Sequence, residues 1–239
     1  MYNRIRTSHQ EIAQHIRDLR KPIEAPKLAL QAEAIEDYVM KRGIATVYHF
    51  TPIQNLPSIC AHGLLNRTLV SKLRDPAIVY PDTHRSDKAE WAICCSIEWP
   101  NYKMMYVKQM HQDIQFAVLA LDASILWELE CVFVPGNSAR ADLWHRLDAL
   151  RLDRFNRLHQ LQALFPEPDT RKLLWQSYPE DVQAEVLIAE APVGLNYCQF
   201  IYFNSPRALR DSPDLPWPSH IRCETYSEIF MARPDLRRR

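Results

Sequence analysis

Seven short runs of β-branched, aromatic and aliphatic residues punctuate this chain of 239 residues, each about the length of a strand. They are Thr46–Phe50, Ile93–Ile97, Phe116–Leu121, Cys131–Val134, Val186–Ile188, Tyr197–Phe203 and Ile221–Tyr226. Helical patterns lie between them at Ile53–Leu65, Tyr102–Met110 and Ala139–Leu164. In the last of these Leu143, Leu147, Leu150 and Leu158 return on related faces. Strands and helices do not alternate strictly, which argues for an α+β class and against a doubly wound parallel sheet. Pro-punctuated stretches at 69–90 and around Pro166, Pro168 and Pro179 are expected to be loops.

The chain before Thr46 has a different texture. Ile12, Ile16 and Leu19 follow helical spacing behind Ser8 as N-cap, and Pro22 and Pro26 break the pattern. Leu28, Ile35 and Val39 mark a second helix that Gly43 terminates. The expected organisation is therefore a helical extension over 1–45 and a main domain over 46–239. A hydrophobic share of 47%, with ten tyrosines and six tryptophans, suffices for one core.

Composition excludes several classes. No apolar run is long enough to span a bilayer and no secretory h-region opens the chain, so a cytoplasmic protein without a membrane partner is expected. The 29 basic and 29 acidic residues cancel, unlike a protein that coats nucleic acid by charge alone. Arginines gather between Arg140 and Lys172 and at Arg237–Arg239, as a solvated face and tail or as local binding surfaces. Cys60, Cys94, Cys95, Cys131, Cys198 and Cys223 sit mostly in apolar runs without C-x-x-C spacing, and read as reduced core thiols. Only four glycines occur, none clustered, so neither a P-loop nor a Rossmann phosphate loop is present.

The chemistry-bearing candidates are dispersed. Glu185 stands where a Pro-rich loop enters the apolar Val186–Ile188 run. It is either an edge-protecting surface charge or a partly desolvated carboxylate that stabilises developing positive charge. Gln183 shares its side of an extended segment and can contact an acceptor group. His49, in a strand with Phe50 and Thr51, is a structural imidazole or a donor to a sugar hydroxyl, with Asn55 orienting the turn that follows. Arg85 is a phosphate- or acceptor-binding guanidinium, or a partner of Asp82 or Asp87. Asn101 caps a helix on which Tyr102 or Tyr106 can stack on a flat ring. Asn137, beside Ser138, reads a base edge or makes a turn.

In order along the chain, Tyr48-His49-Phe50-Thr51, Asn55-Leu56-Pro57-Ser58-Ile59, Gly63-Leu64-Leu65, Arg85, Pro100-Asn101-Tyr102-Lys103-Met104-Met105 and Gln183-Ala184-Glu185 resemble the DarT family of DNA ADP-ribosyltransferase toxins. The resemblance spans roughly Thr46 to Phe203. It implies an ADP-ribosyltransferase-like split β-sandwich with flanking helices. It also implies NAD as ADP-ribose donor with no metal, single-stranded DNA as substrate, and a DarG-like macrodomain antitoxin as partner. Glu185 and Arg85 would be catalytic. His49, Phe50, Thr51, Asn55, Tyr102 and Tyr106 would hold NAD. Gln183 and Asn137 would meet the substrate. The 100–105 stretch is closer to the guanine-modifying branch than to the thymine branch. Competing expectations are an ADP-ribosyltransferase acting on RNA or protein, and a non-catalytic nucleic-acid-binding module of the same fold.

Overall fold

In a computed structural model that describes residues 25–81, 86–112, 114–165 and 176–236, the helical spacing of Leu28, Ile35 and Val39 becomes helix α1, Ala25–Arg42. The helix stops because Gly43 adopts φ +67°, a conformation that costs glycine little. Ile35 and Val39 are buried in the same core cluster as Val47 and Leu119, so α1 packs into the main body. Arg42, in its last turn, lies over the rings of Tyr38 and Phe165 at 5.2 and 4.7 Å and donates to the Gln176 carbonyl. The helix expected near Ser8–Leu19 lies outside the described residues.

All seven strands form where the apolar runs lie: β1 Thr46–Pro52, β2 Ile93–Ile97, β3 Phe116–Asp122, β4 Cys131–Val134, β5 Glu185–Ile188, β6 Cys198–Phe203 and β7 Arg222–Thr225. Their order is β4-β5-β2-β1-β3-β6-β7, antiparallel throughout except for the parallel β6–β7 pair. β1 runs its whole length against β3, from Thr46↔Asp122 to Pro52↔Phe116. Against β2 it pairs only at Val47↔Ile97 and Tyr48↔Ser96. The first three residues of β2 pair instead with β5, Ile93↔Ile188 through Cys95↔Val186. β2 thus leaves one ladder and enters another, and the sheet splits along it.

Helices cover the sheet: α2 Leu56–His62, α3 Arg67–Leu73, α4 Tyr102–Gln112, α5 Ile125–Glu128, α6 Ala141–Trp144, α7 Leu147–Leu152, α8 Arg157–Gln162 and α9 Pro206–Asp211. The single helix expected over Ala139–Leu164 is broken. Buried Arg157 donates to the carbonyls of Leu150 and Arg151, and Gln160 donates to those of Leu150 and Asp153. Side chains from the next segment satisfy the last carbonyls of α7, so the chain can turn there instead of continuing the helix. α3 runs into the stretch expected to be loop from residue 69; Asn66 caps it by accepting from the Leu69 amide at 3.0 Å. No helix among the described residues is long and apolar enough to cross a membrane.

Candidate active site

Beyond Tyr48↔Ser96, β1 and β2 diverge, and their facing edges line a cavity of about 250 Å³ that opens to solvent. Its wall includes His49, Phe50 and Thr51 of β1, Cys94 and Cys95 of β2, and Glu185 at the head of β5. The two stretches that carry the candidate imidazole and carboxylate therefore converge on one cavity.

His49 bridges the split. Its Nδ1 lies 2.9 Å from the Cys94 carbonyl oxygen, which can only accept, so Nδ1 carries the proton. In the neutral ring Nε2 is then an acceptor. Thr51 is buried, and its hydroxyl accepts from Asn55 Nδ2 at 3.2 Å. Asn55 also clasps the backbone of Val79, donating to its carbonyl at 2.9 Å and accepting from its amide at 2.8 Å. It fixes the 78–81 segment as a cavity wall, and its polar atoms are engaged in doing so. Gly63, at φ +73°, lets α2 end against Val193; a Cβ there would lie 2.5 Å from the Val193 carbonyl oxygen.

Glu185 is 5% exposed, so it is not the solvent-facing edge charge of the alternative account. Its Oε2 accepts from the Ser138 amide at 3.2 Å. The Ser138 hydroxyl donates at 2.8 Å to Asp87, whose other oxygen accepts from the Ala89 amide. Ser138 is held by the turn after β4, where Asn137 Oδ1 accepts from the Ala139 amide. Asn137 makes that turn and lines the cavity as well. Potential ligand atoms of Asp87, Cys94 and Glu185 lie within 4.8 Å of one another. Burial pushes the Cys95 thiol well above its ordinary pKa, and the nearby carboxylate of Glu185 adds to the rise.

The extended segment expected at Gln183 is corrected, and three candidate residues lie off the cavity wall. Gln183 is not on an extended segment with Glu185: the Ala184 amide donates to the Asp181 carbonyl and the Gln183 amide to the Asp181 side chain, closing a turn. Gln183 does not line the cavity. Tyr102 packs on the apolar cluster of Trp99, Met105 and Phe116. Tyr106 is 61% exposed, and neither ring lines the cavity. Helical geometry explains the outcome, since Met104 and Lys108 turn toward the cavity where the tyrosines turn away. Arg85 lies outside the described residues. Two cations not singled out in the sequence do line the cavity, Arg67 and Lys108. Arg67 sits over the Tyr80 ring at 4.9 Å, and Lys108 donates to the Pro81 carbonyl. Their only signal in the sequence is their place on the capped helices α3 and α4.

The fold is similar to that of Thermus sp. 2.9 DarT in complex with NAD+, at 17% identity over 78% of this chain and 97% of that one, with a TM-score of 0.45. The same Thermus protein in complex with ADP-ribosylated ssDNA matches at 16% identity over 78% and 96%, with a TM-score of 0.48. Thermosipho africanus DarTG in complex with ADP-ribose matches at 14% identity over 77% of this chain, with a TM-score of 0.49. The chain spans 50% of that Thermosipho chain. No curated protein sequence matches. The family described as "ssDNA thymidine ADP-ribosyltransferase, DarT" matches residues 48–210, more than half of the chain and the span that carries both His49 and Glu185. By that match the chain belongs to the DarT family of ssDNA ADP-ribosyltransferases.

Proposed function

We propose that this chain cleaves NAD in the β1/β2 cavity and transfers one ADP-ribose to a thymidine of single-stranded DNA, as a pentosyl-transferring glycosyltransferase. The observation that carries this is the convergence of His49 and buried Glu185 on one cavity within the family-matched span. Breaking the C1′–N bond to nicotinamide leaves positive charge on the ribose, and nicotinamide departs with the bonding pair. Glu185, already oriented by the Ser138 amide, opposes that charge without reorganising. A base nitrogen attacks C1′ from the opposite face and sheds its proton. An unpaired base exposes that nitrogen, which a stacked duplex hides.

His49 and Thr51 orient the nucleotide, and Arg67 and Lys108 suit the pyrophosphate oxygens. Asn137 at the rim and Arg85 are assigned to the acceptor side, and Gln183 to the turn that leads into Glu185. An enzyme that consumes NAD and modifies DNA would act in the cytoplasm, as the toxin of a toxin–antitoxin or phage-defence pair. Its antitoxin would be a DarG-like macrodomain that removes the mark. The test is incubation with NAD and single-stranded oligonucleotides that each lack one base, read by mass spectrometry. A mass gain of one ADP-ribosyl group that disappears only without thymidine is expected. A gain that follows guanine reassigns the base. Labelling of RNA or protein alone, or no NAD cleavage, would defeat the proposal.

A further inference from the structure

Asn101 carries a buried donor without a partner on the wall of the cavity. The residue is 2% exposed. Its Oδ1 accepts from the Met104 amide at 3.1 Å, which caps α4. Because that amide can only donate, the acceptor assignment of Oδ1 is fixed by chemistry, and Nδ2 must be the other atom. Nδ2 is buried and makes no hydrogen bond. Among the described residues one other buried side-chain atom shares this condition, Glu130 Oε1, but the Arg154 guanidinium 3.0 Å away compensates its charge. Nothing comparable compensates Asn101 Nδ2.

A buried donor left unsatisfied is costly, and native proteins seldom keep one without use for it. Asn101 lines the cavity together with Met104 and Lys108 of the same helix. The N-terminus of α4 adds its positive dipole end on the same wall. These features share one preference, an oxygen acceptor. We infer that Asn101 Nδ2 is a binding contact for NAD, donating to an oxygen of the dinucleotide once it fills the cavity. The inference rests on the assignment of NAD to this cavity. The acceptor is either the nicotinamide carboxamide or an oxygen of the ADP-ribose part, since the two share this chemistry.

The cap and the donor can be separated. Asn101→Ser keeps a good N-cap and shortens away the amide, and Asn101→Asp keeps the cap and the shape while replacing the donor with an acceptor. Both are measured by calorimetry with NAD, with ADP-ribose and with nicotinamide, alongside their unfolding midpoints. The expected result is a loss of NAD affinity of about tenfold in both variants, with a midpoint close to wild type for Asn101→Ser. A loss shared by NAD and ADP-ribose places the acceptor on the ADP-ribose part, and a loss confined to NAD places it on the carboxamide. NAD affinity within about twofold of wild type for Asn101→Ser would overturn the inference. Wild-type protein that binds no NAD would instead overturn the assignment of the cavity, which keeps the two failures distinct.

Discussion

His49 Nδ1 reaches the carbonyl oxygen of Cys94 at 2.9 Å, across the gap where β1 and β2 cease to pair. A side chain here closes the ladder that the backbones leave open. The imidazole is thereby fixed in one tautomer at the edge of the cavity. His49→Ala removes both the bridge and the acceptor. We expect NAD affinity to fall about tenfold and stability to fall by about 1 kcal/mol, the weight of one hydrogen bond. Calorimetry and urea unfolding separate the two. A stability loss with NAD affinity intact would leave His49 with structure alone.

Glu185→Gln keeps the volume and a hydrogen bond from Ser138 but removes the charge. Turnover on single-stranded DNA should drop by a factor on the order of 10² to 10³, with KM for NAD nearly unchanged. A far-ultraviolet spectrum and unfolding midpoint like wild type establish that the fold persists. Near-normal turnover would remove Glu185 from the chemistry.

Asn55→Ala should free the 78–81 wall. The loss of its paired contacts with Val79 is expected to cost about 1–2 kcal/mol. The sharper readout is amide exchange: the Val79 amide, which donates to Asn55, should lose protection while the β1–β3 ladder keeps its own. Unchanged protection at Val79 would show that the segment holds itself.

Cysteine alkylation offers a probe of cavity occupancy. Burial pushes the Cys131 and Cys198 thiols up to about 12, so both should stay unlabelled in native protein. Cys94 is partly exposed and lines the cavity. Peptide mapping after iodoacetamide should find Cys94 modified in the absence of NAD and protected at saturating NAD. Equal labelling with and without NAD would place the nucleotide elsewhere.

Glu98 ties the start of β1, accepting from the Ala45 and Thr46 amides at 2.6 and 2.9 Å. Burial raises its carboxyl above the ordinary value, and the two amide bonds only partly offset that. A carboxyl raised on folding contributes stability in full below its unfolded pKa, about 4.3, and loses that contribution as pH rises through the folded value. Glu98→Gln retains an acceptor oxygen and cannot ionise. The stability of wild type relative to this variant should therefore decline as pH rises across the weakly acidic range, followed by thermal unfolding at a series of pH values. A flat difference would show that ionisation of Glu98 costs the fold nothing.

The strands were legible because each is a short apolar run bounded by polar sequence, and Ile93–Ile97 and Cys131–Val134 match the expected spans. Short helices were less so. α9 begins at Pro206 behind Ser205, whose hydroxyl accepts from the Ala208 amide, a start signal present in the sequence. The break between α7 and α8 had no local signal, because Arg157 and Gln160 act on carbonyls several residues away. The site divides in the same way. Glu185 and His49 stand on strands whose positions were readable. Tyr102 and Tyr106 were assigned by ring type, whereas the rotation of α4 turns Met104 and Lys108 to the cavity. That rotation is set by Met105 entering the core beside Trp99 and Phe116, a tertiary fact.

A strand shared by two ladders behaves as a keystone. β2 is gripped by β5 at its first three residues and by β1 at its last two. A shift of β2 would displace the bed of Glu185 and the carbonyl that steadies His49 in a single movement. Side-chain variation is therefore best tolerated at Gln183, in the turn that leads into β5, because that turn is held through the Gln183 backbone amide and a change there leaves the centre of the sheet seated.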